Sequence, residues 1–148
     1  MPSGISLMRT LSARRELVFS AWTRPELMAR WFFPDPSWTA TVSAELRVGG
    51  HYEVSMRDTE GGVHLQFGEY REIVPVSRLV FTWSCPDLGV KDSIVTVELE
   101  ERGALTELLL THELPPDPKI RREHEGGWTG CLGNLESFLE KETRESTS

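Results

Sequence analysis

From Thr39 to Leu114 the apolar positions recur mostly at every second residue, whereas the segments on either side carry apolar residues three and four apart. A period of two places alternate side chains on opposite faces of a strand; a period of three to four builds one face of a helix. The cleanest alternation is His51 to Arg57, with Tyr52, Val54 and Met56 on one face and His51, Glu53, Ser55 and Arg57 on the other. Turn residues at Asp58–Gly62 join this segment to a long strand, Val63 to Val74, with a bulge expected near Gly68. Further strands are predicted at Ile5–Leu11, Thr39–Leu46, Arg78–Ser84, Asp92–Glu101 and Leu105–Leu114, and Pro115, Pro116 and Pro118 end the series.

The helical periods fall at the two ends. Ser12 is placed to cap a helix carrying Leu17, Val18, Ala21 and Trp22, and Thr23 with Glu26 fits a capping box opening a second helix over Pro25–Trp31. Pro34 and Pro36 stop its continuation. The last helix should start near Asp117-Pro118 and end around Glu142. Its stripe is Trp128, Leu132, Leu135 and Leu139, with Cys131 and Phe138 on one shoulder. Gly126, Gly130, Gly133 and Ser137 form the other face; exposed tolerance explains them, although such a face also leaves homodimer formation open. The whole reads as one domain over residues 1–142 and a flexible tail over 143–148.

This order defines an α+β fold: a curved antiparallel sheet of six to seven strands wrapped around a long C-terminal helix, with two short helices after the first strand. Alternation then assigns the face toward the helix. Tyr52, Val54 and Met56 come from one strand, Leu79, Phe81 and Trp83 from another, and Thr106, Leu108, Leu110 and His112 from the last. Trp128, Cys131, Leu132 and Leu135 face them from the helix. Trp31 and Phe32, ending the short helix pair, are placed to close the mouth of any space enclosed there. A mostly apolar, aromatic lining with few polar groups is the usual small-molecule site; close packing without a void is the alternative.

Composition narrows the function classes. One chain of 148 residues, 39% hydrophobic, buries a single sizeable core. Sixteen basic against 23 acidic residues give a net charge of −7, which argues against a phosphate-binding surface and hence nucleic acid. No apolar run reaches membrane-spanning length and no signal-peptide pattern is present, so a cytoplasmic location is expected. Cys85 and Cys131 stand alone, without CxxC or metal-ligand spacing, and no histidine pair has HxxxH or HExxH spacing. No metal, cofactor or catalytic residue is therefore assigned.

Five stretches, ELVFSAWTRPELMARWF (16–32), VGGHYEVSM (48–56), GEYREIVPVSRLVFTW (68–83), TVELEERGALTELLLTHELP (96–115) and EGGWTGCLGNLESFL (125–139), carry a resemblance in their order. Together they resemble the START-like (SRPBCC, helix-grip) superfamily, in its bacterial branch named for homology to the activator of heat-shock protein 90 ATPase. Arg24 departs from that branch's usual acidic residue, and Phe32 stands where many relatives carry Trp. The resemblance implies seven strands around the C-terminal helix, an internal hydrophobic pocket, and a stress-response setting from the branch name. It does not fix chemistry, because fold and function separate in this superfamily.

The expected activity is binding of a hydrophobic or aromatic small molecule by Trp31, Phe32, Tyr52, Val54, Met56, Phe81, Trp83, Leu110, His112, Trp128 and Cys131. His112 is the polar residue of that set. It either hydrogen-bonds a ligand or acts as acid or base, or else is satisfied by its own protein neighbours. His51 should point outward, and His124 lies at the edge of the helix stripe. Glu69 and Arg71 are an outward ion pair by default. The alternatives are a cyclase- or dehydratase-like enzyme using a cavity histidine, and a regulator of a chaperone ATPase.

Overall fold

A computed structural model describes residues 4–146. Strand β1 (Ile5–Leu11) leads into α1 (Arg15–Thr23) and α2 (Pro25–Met28). Six strands follow: β2 (Thr39–Ala44), β3 (His51–Arg57), β4 (Val63–Val74), β5 (Arg78–Cys85), β6 (Val90–Arg102) and β7 (Leu105–Glu113). A 3-10 turn at Pro86–Leu88 joins β5 to β6, and α3 (Pro118–Ser146) ends the chain. All seven strands form one antiparallel sheet in the order β1-β7-β6-β5-β4-β3-β2. Hairpins make every neighbour except β1, which crosses the molecule to pair with β7 and sets Leu7 opposite Leu110.

The α+β architecture is thus the one the periodicity predicts, and its seven strands are the number that the helix-grip resemblance implies. β3 shows why: Tyr52, Val54 and Met56 are buried while His51, Glu53 and Arg57 are exposed. Removing each of those three apolar side chains from water stabilises the fold by about 1.5–3 kcal/mol. On α3, Trp128, Cys131, Leu132, Leu135, Phe138 and Leu139 are buried in the same core.

Several local expectations are corrected. Thr23 does not cap α2. It is still part of α1, and its hydroxyl donates back to the Phe19 carbonyl at 2.8 Å. Arg24 is the N-cap instead, and its guanidinium, not a threonine, meets Glu26. Ser12 likewise gives way to Arg14 at the start of α1, without a side-chain cap. The second helix ends at Met28 and the chain reaches Trp31 through turns.

Gly68 is not the bulge; the register of β4 against β5 shifts between Tyr70 and Glu72. Gly68 answers a close approach instead, since a Cβ there would lie 1.9 Å from the Thr82 carbonyl oxygen and 2.8 Å from the Tyr52 ring. Helix α3 continues past Glu142 to Ser146, and the Thr143 hydroxyl donates to the Ser12 carbonyl at 3.1 Å. The last two positions of the expected tail, 147 and 148, lie outside the described residues.

Candidate functional site

Aromatic rings from four parts of the chain meet between the sheet and α3. Trp22 comes from α1, Trp31 and Phe32 from the turn after α2, Trp83 from β5 and Trp128 from α3. Trp22 meets Trp31 edge-on at 4.7 Å, Phe32 meets Trp128 at 5.8 Å, and Trp83 lies 4.8 Å from Trp128. Edge-to-face pairs of this kind contribute about 0.5–1.5 kcal/mol beyond burial. Trp31 is fully buried and its indole N–H donates to the Ala21 carbonyl at 3.0 Å. It is tied to α1 as a strut.

Two spaces remain beside these rings. The smaller is about 10 Å³, lined by Trp22, Met28, Phe32, Tyr52, Tyr70, Leu79 and Phe81, enough for one water at most. The larger is about 70 Å³. Phe32, Pro34, Met56, Trp83, Cys85, Leu88, His124, Gly127, Trp128 and Cys131 line it, with Glu123 at its rim. Ordinary ligand pockets run to roughly 300–1,000 Å³, so most of the potential interior is occupied by the protein's own rings.

The expected lining residues therefore divide. Phe32, Met56, Trp83, Trp128 and Cys131 bound the larger space, and Tyr52 and Phe81 join Phe32 at the smaller one. Trp31, Val54, Leu110 and His112 are buried but border neither. His124 is the residue local reasoning undervalued. It lies four residues before Trp128 and seven before Cys131, a spacing that puts it on the buried stripe. Cys85 is the next inward residue after Trp83 in the alternation of β5.

His112 has no free nitrogen. Trp128 Nε1 lies 3.0 Å from its Nδ1, and Ser93 Oγ lies 2.8 Å from its Nε2. An indole N–H can only donate, so Nδ1 accepts and Nε2 carries the proton. Ser93 accepts that proton's hydrogen bond and donates its own hydroxyl to the Trp83 carbonyl at 2.8 Å. The chain Trp128–His112–Ser93–Trp83 is closed, which braces α3, β7, β6 and β5 together. Burial first, then the neighbouring His124, lowers the His112 pKa to about 3, so the ring is neutral.

His124 is arranged differently. Its Nδ1 lies 2.8 Å from the Ile120 carbonyl, which obliges that nitrogen to donate. Burial lowers its pKa, with the Ile120 carbonyl and Glu123 opposing. Nε2 of this neutral ring is then a bare acceptor, buried and without a partner, and the indole N–H of Trp83 is a buried donor without a partner. The two rings meet edge-on at 6.1 Å. Of the two thiols beside them, burial pushes Cys131 up to about 12 and raises Cys85, so both are neutral.

No carboxylate enters the space. Arg71 is exposed and pairs with Glu69 at 3.8 Å on the outer face, and His51 is exposed beside the same Glu69. Among the described residues no group of three or more His, Cys, Asp or Glu is placed to hold a metal ion. No helix among them is long and apolar enough to cross a membrane.

A seven-stranded sheet gripping a C-terminal helix, with a residual apolar space beside the grip, defines the class as a helix-grip protein. Residues 12–140 match the family described as Activator of Hsp90 ATPase homolog 1-like protein, and the chain belongs to that family. Protein CV1439 from Chromobacterium violaceum is 31% identical, with a TM-score of 0.84 over 95% of this chain and 99% of that one. Protein NE0264 from Nitrosomonas europaea is 27% identical, with a TM-score of 0.79 over 95% and 96%. An AHSA1-like protein from Aeromonas hydrophila shares the fold at 22% identity and a TM-score of 0.82, over 95% of this chain and 94% of that one. No functionally curated protein matches the chain.

Proposed function

We propose that this chain binds a small hydrophobic or aromatic molecule in the 70 Å³ space between β5, α3 and the turn after α2. The observation that carries this reading is an apolar space left open inside a core whose neighbouring rings are otherwise in contact. Protein interiors are close-packed, and a void lined by large side chains forfeits their dispersion contacts. A bound molecule restores them.

The space is small as it stands, so a ligand larger than a few atoms displaces part of its wall. Met56 is a flexible thioether, and Leu88 sits on a short turn with only one side against the core. Both yield at lower cost than the tryptophans. Two buried free thiols, Cys85 and Cys131, suit a reducing cytoplasm.

Native mass spectrometry of the purified chain, followed by denaturing extraction, tests this. A co-purifying neutral organic molecule is expected, or else a rise in unfolding midpoint with added small aromatics. A ligand at one hundred times its Kd contributes about 2.7 kcal/mol. A clean apo mass, together with no shift across aromatic and aliphatic probes, would sink the binding reading and favour action through a protein partner.

A further inference from the structure

We propose that this chain forms a weak two-fold dimer through the outer face of β2, β3 and β4, the side of the sheet turned away from α3. The face lies opposite the cavity, so this inference does not depend on ligand binding.

The register sets three outward residues of each strand side by side. Val63, Leu65 and Phe67 of β4 stand opposite Arg57, Ser55 and Glu53 of β3, which in turn stand opposite Thr39, Thr41 and Ser43 of β2. An antiparallel sheet packed on one side normally turns polar residues to water on the other. β4 instead turns out an apolar row that is 40–51% exposed along its length.

The charges beside that row are also without partners. Elsewhere on the sheet Glu69 pairs with Arg71, Arg78 with Glu72 and Glu98, and Arg102 with Glu100 and Glu107. Glu53 and Arg57 are exposed, and neither has an ion-pair partner among the described residues. Four residues apart on one strand, they lie about 14 Å from each other and do not meet.

A second copy satisfies both. Let it be related by a half-turn about an axis crossing the strands along Leu65, Ser55 and Thr41. Val63 then meets Phe67, Arg57 meets Glu53 and Thr39 meets Ser43, each contact being made twice. An isologous interface requires a patch that complements itself in this way. Aligned sheets keep their strand directions within about 30° of each other, so the rows stay matched. A half-turn about the strand direction would instead lay β3 over β5, whose Thr82 and Ser84 are buried and offer no countercharge. A shallow hollow of about 450 Å³, bordered by Ser43, Glu53 and Phe67 among others, lies where Thr39, Arg57 and Val63 of the second copy arrive.

The size of the face sets the strength. Three strands about 4.8 Å apart and five residues of about 3.4 Å each give a patch of roughly 14 by 17 Å. That is well short of the roughly 800 Å² per partner of a standard interface. The net charge of −7 on each copy also opposes association. The dimer is therefore reversible, with a Kd of about 1 μM or weaker.

Sedimentation equilibrium of the full-length chain, at concentrations up to about 1 mM, measures that constant. The expected result is a monomer–dimer equilibrium. Glu53→Arg and Arg57→Glu should each weaken it about tenfold or more, because like charges then face each other. Leu65→Lys should do the same, because that residue meets its own copy at the axis. Mixing the Glu53→Arg chain with the Arg57→Glu chain should restore association as a heterodimer, since every facing pair is again opposite in sign. A monomer at every concentration overturns the proposal. A dimer indifferent to both charge reversals and to Leu65→Lys also overturns it, and points to another surface such as the edge strand β2. Reversals that weaken association without recovery on mixing overturn the two-fold pairing of Arg57 with Glu53. Should the variants not fold, amide NMR of the unaltered chain decides. Dilution should move the resonances of Val63, Leu65 and Phe67, and unmoved resonances there overturn the proposal.

Discussion

His112 shows how one side chain can look functional and be structural. Its ring bridges Trp128 and Ser93, so its replacement leaves an indole N–H and a hydroxyl to rearrange inside the core. His112→Asn should cost about 2 kcal/mol near neutral pH, the price of buried groups left without partners. The folded-state pKa lies near 3, below the ordinary value of 6.5. Stability from keeping this ring neutral is therefore full above about pH 6.5 and is lost as pH falls toward 3, at about 1.4 kcal/mol per pH unit. Urea unfolding of both proteins across that window measures it. The gap between them should close on acidification; a constant gap would mean that His112 does not set the acid limb. The phase of β7 made the inward direction of His112 legible, since Leu108 and Leu110 share its face. Its partners were not legible, because Ser93 and Trp128 reach it across the sheet and from α3. His124 was legible by spacing alone, but four residues before a tryptophan is a weak signal until the helix is seen to bury that far.

At the scale of elements, periodicity carried the strands and the helix stripe, and side-chain capping is where it failed. Whether Thr23 belongs to the end of one helix or the start of the next depends on where the chain turns, and its hydroxyl had a carbonyl within reach in α1. The glycines of α3 divide in the same way. At Gly130 a Cβ would stand 1.9 Å from the Pro34 carbonyl oxygen, whereas at Gly126 and Gly133 it would meet nothing within 4 Å. The close surface that the glycine face admits is thus the chain's own loop after α2, at one position only. Gly130→Ala should destabilise by about 1–3 kcal/mol through the forced shift of that loop. Gly126→Ala should stabilise by up to about 1 kcal/mol through helix propensity. Denaturant midpoints of the two variants give opposite signs if the loop contact is tight. Equal gains would show that the loop moves aside freely. Because the same loop carries Phe32 and Pro34 to the cavity wall, Gly130→Ala should also change the space beside Trp128.

Over the whole molecule, the size of the interior was the property least legible in sequence. Alternation shows which residues point inward; whether their rings meet or leave a gap depends on angles set by seven strands and three helices together. The same holds for a cluster that joins four separate segments on the outside. His64 on β4 lies 2.9 Å from Asp58 of the preceding turn and 2.5 Å from Asp87 of the 3-10 turn, and its ring stacks on Trp38 at 4.8 Å. Both nitrogens face carboxylates, so the ring is held as an imidazolium. The Asp58 hydrogen bond first, then that of Asp87, raises its pKa above 6.5. This sign opposes that of His112: the stabilisation is full below about pH 6.5 and is lost as pH rises through the elevated folded value. The clasp ties the turn bearing Leu88, a wall of the cavity, to the β3–β4 hairpin. His64→Gln should therefore lower the unfolding midpoint most at mildly acidic pH, with the difference from the unaltered chain shrinking as the solution becomes alkaline. Thermal unfolding of both proteins from about pH 6 to about pH 9 reads this directly. A difference that stays level over that range would mean that the stack on Trp38, and not the ion pairs, holds the segments together.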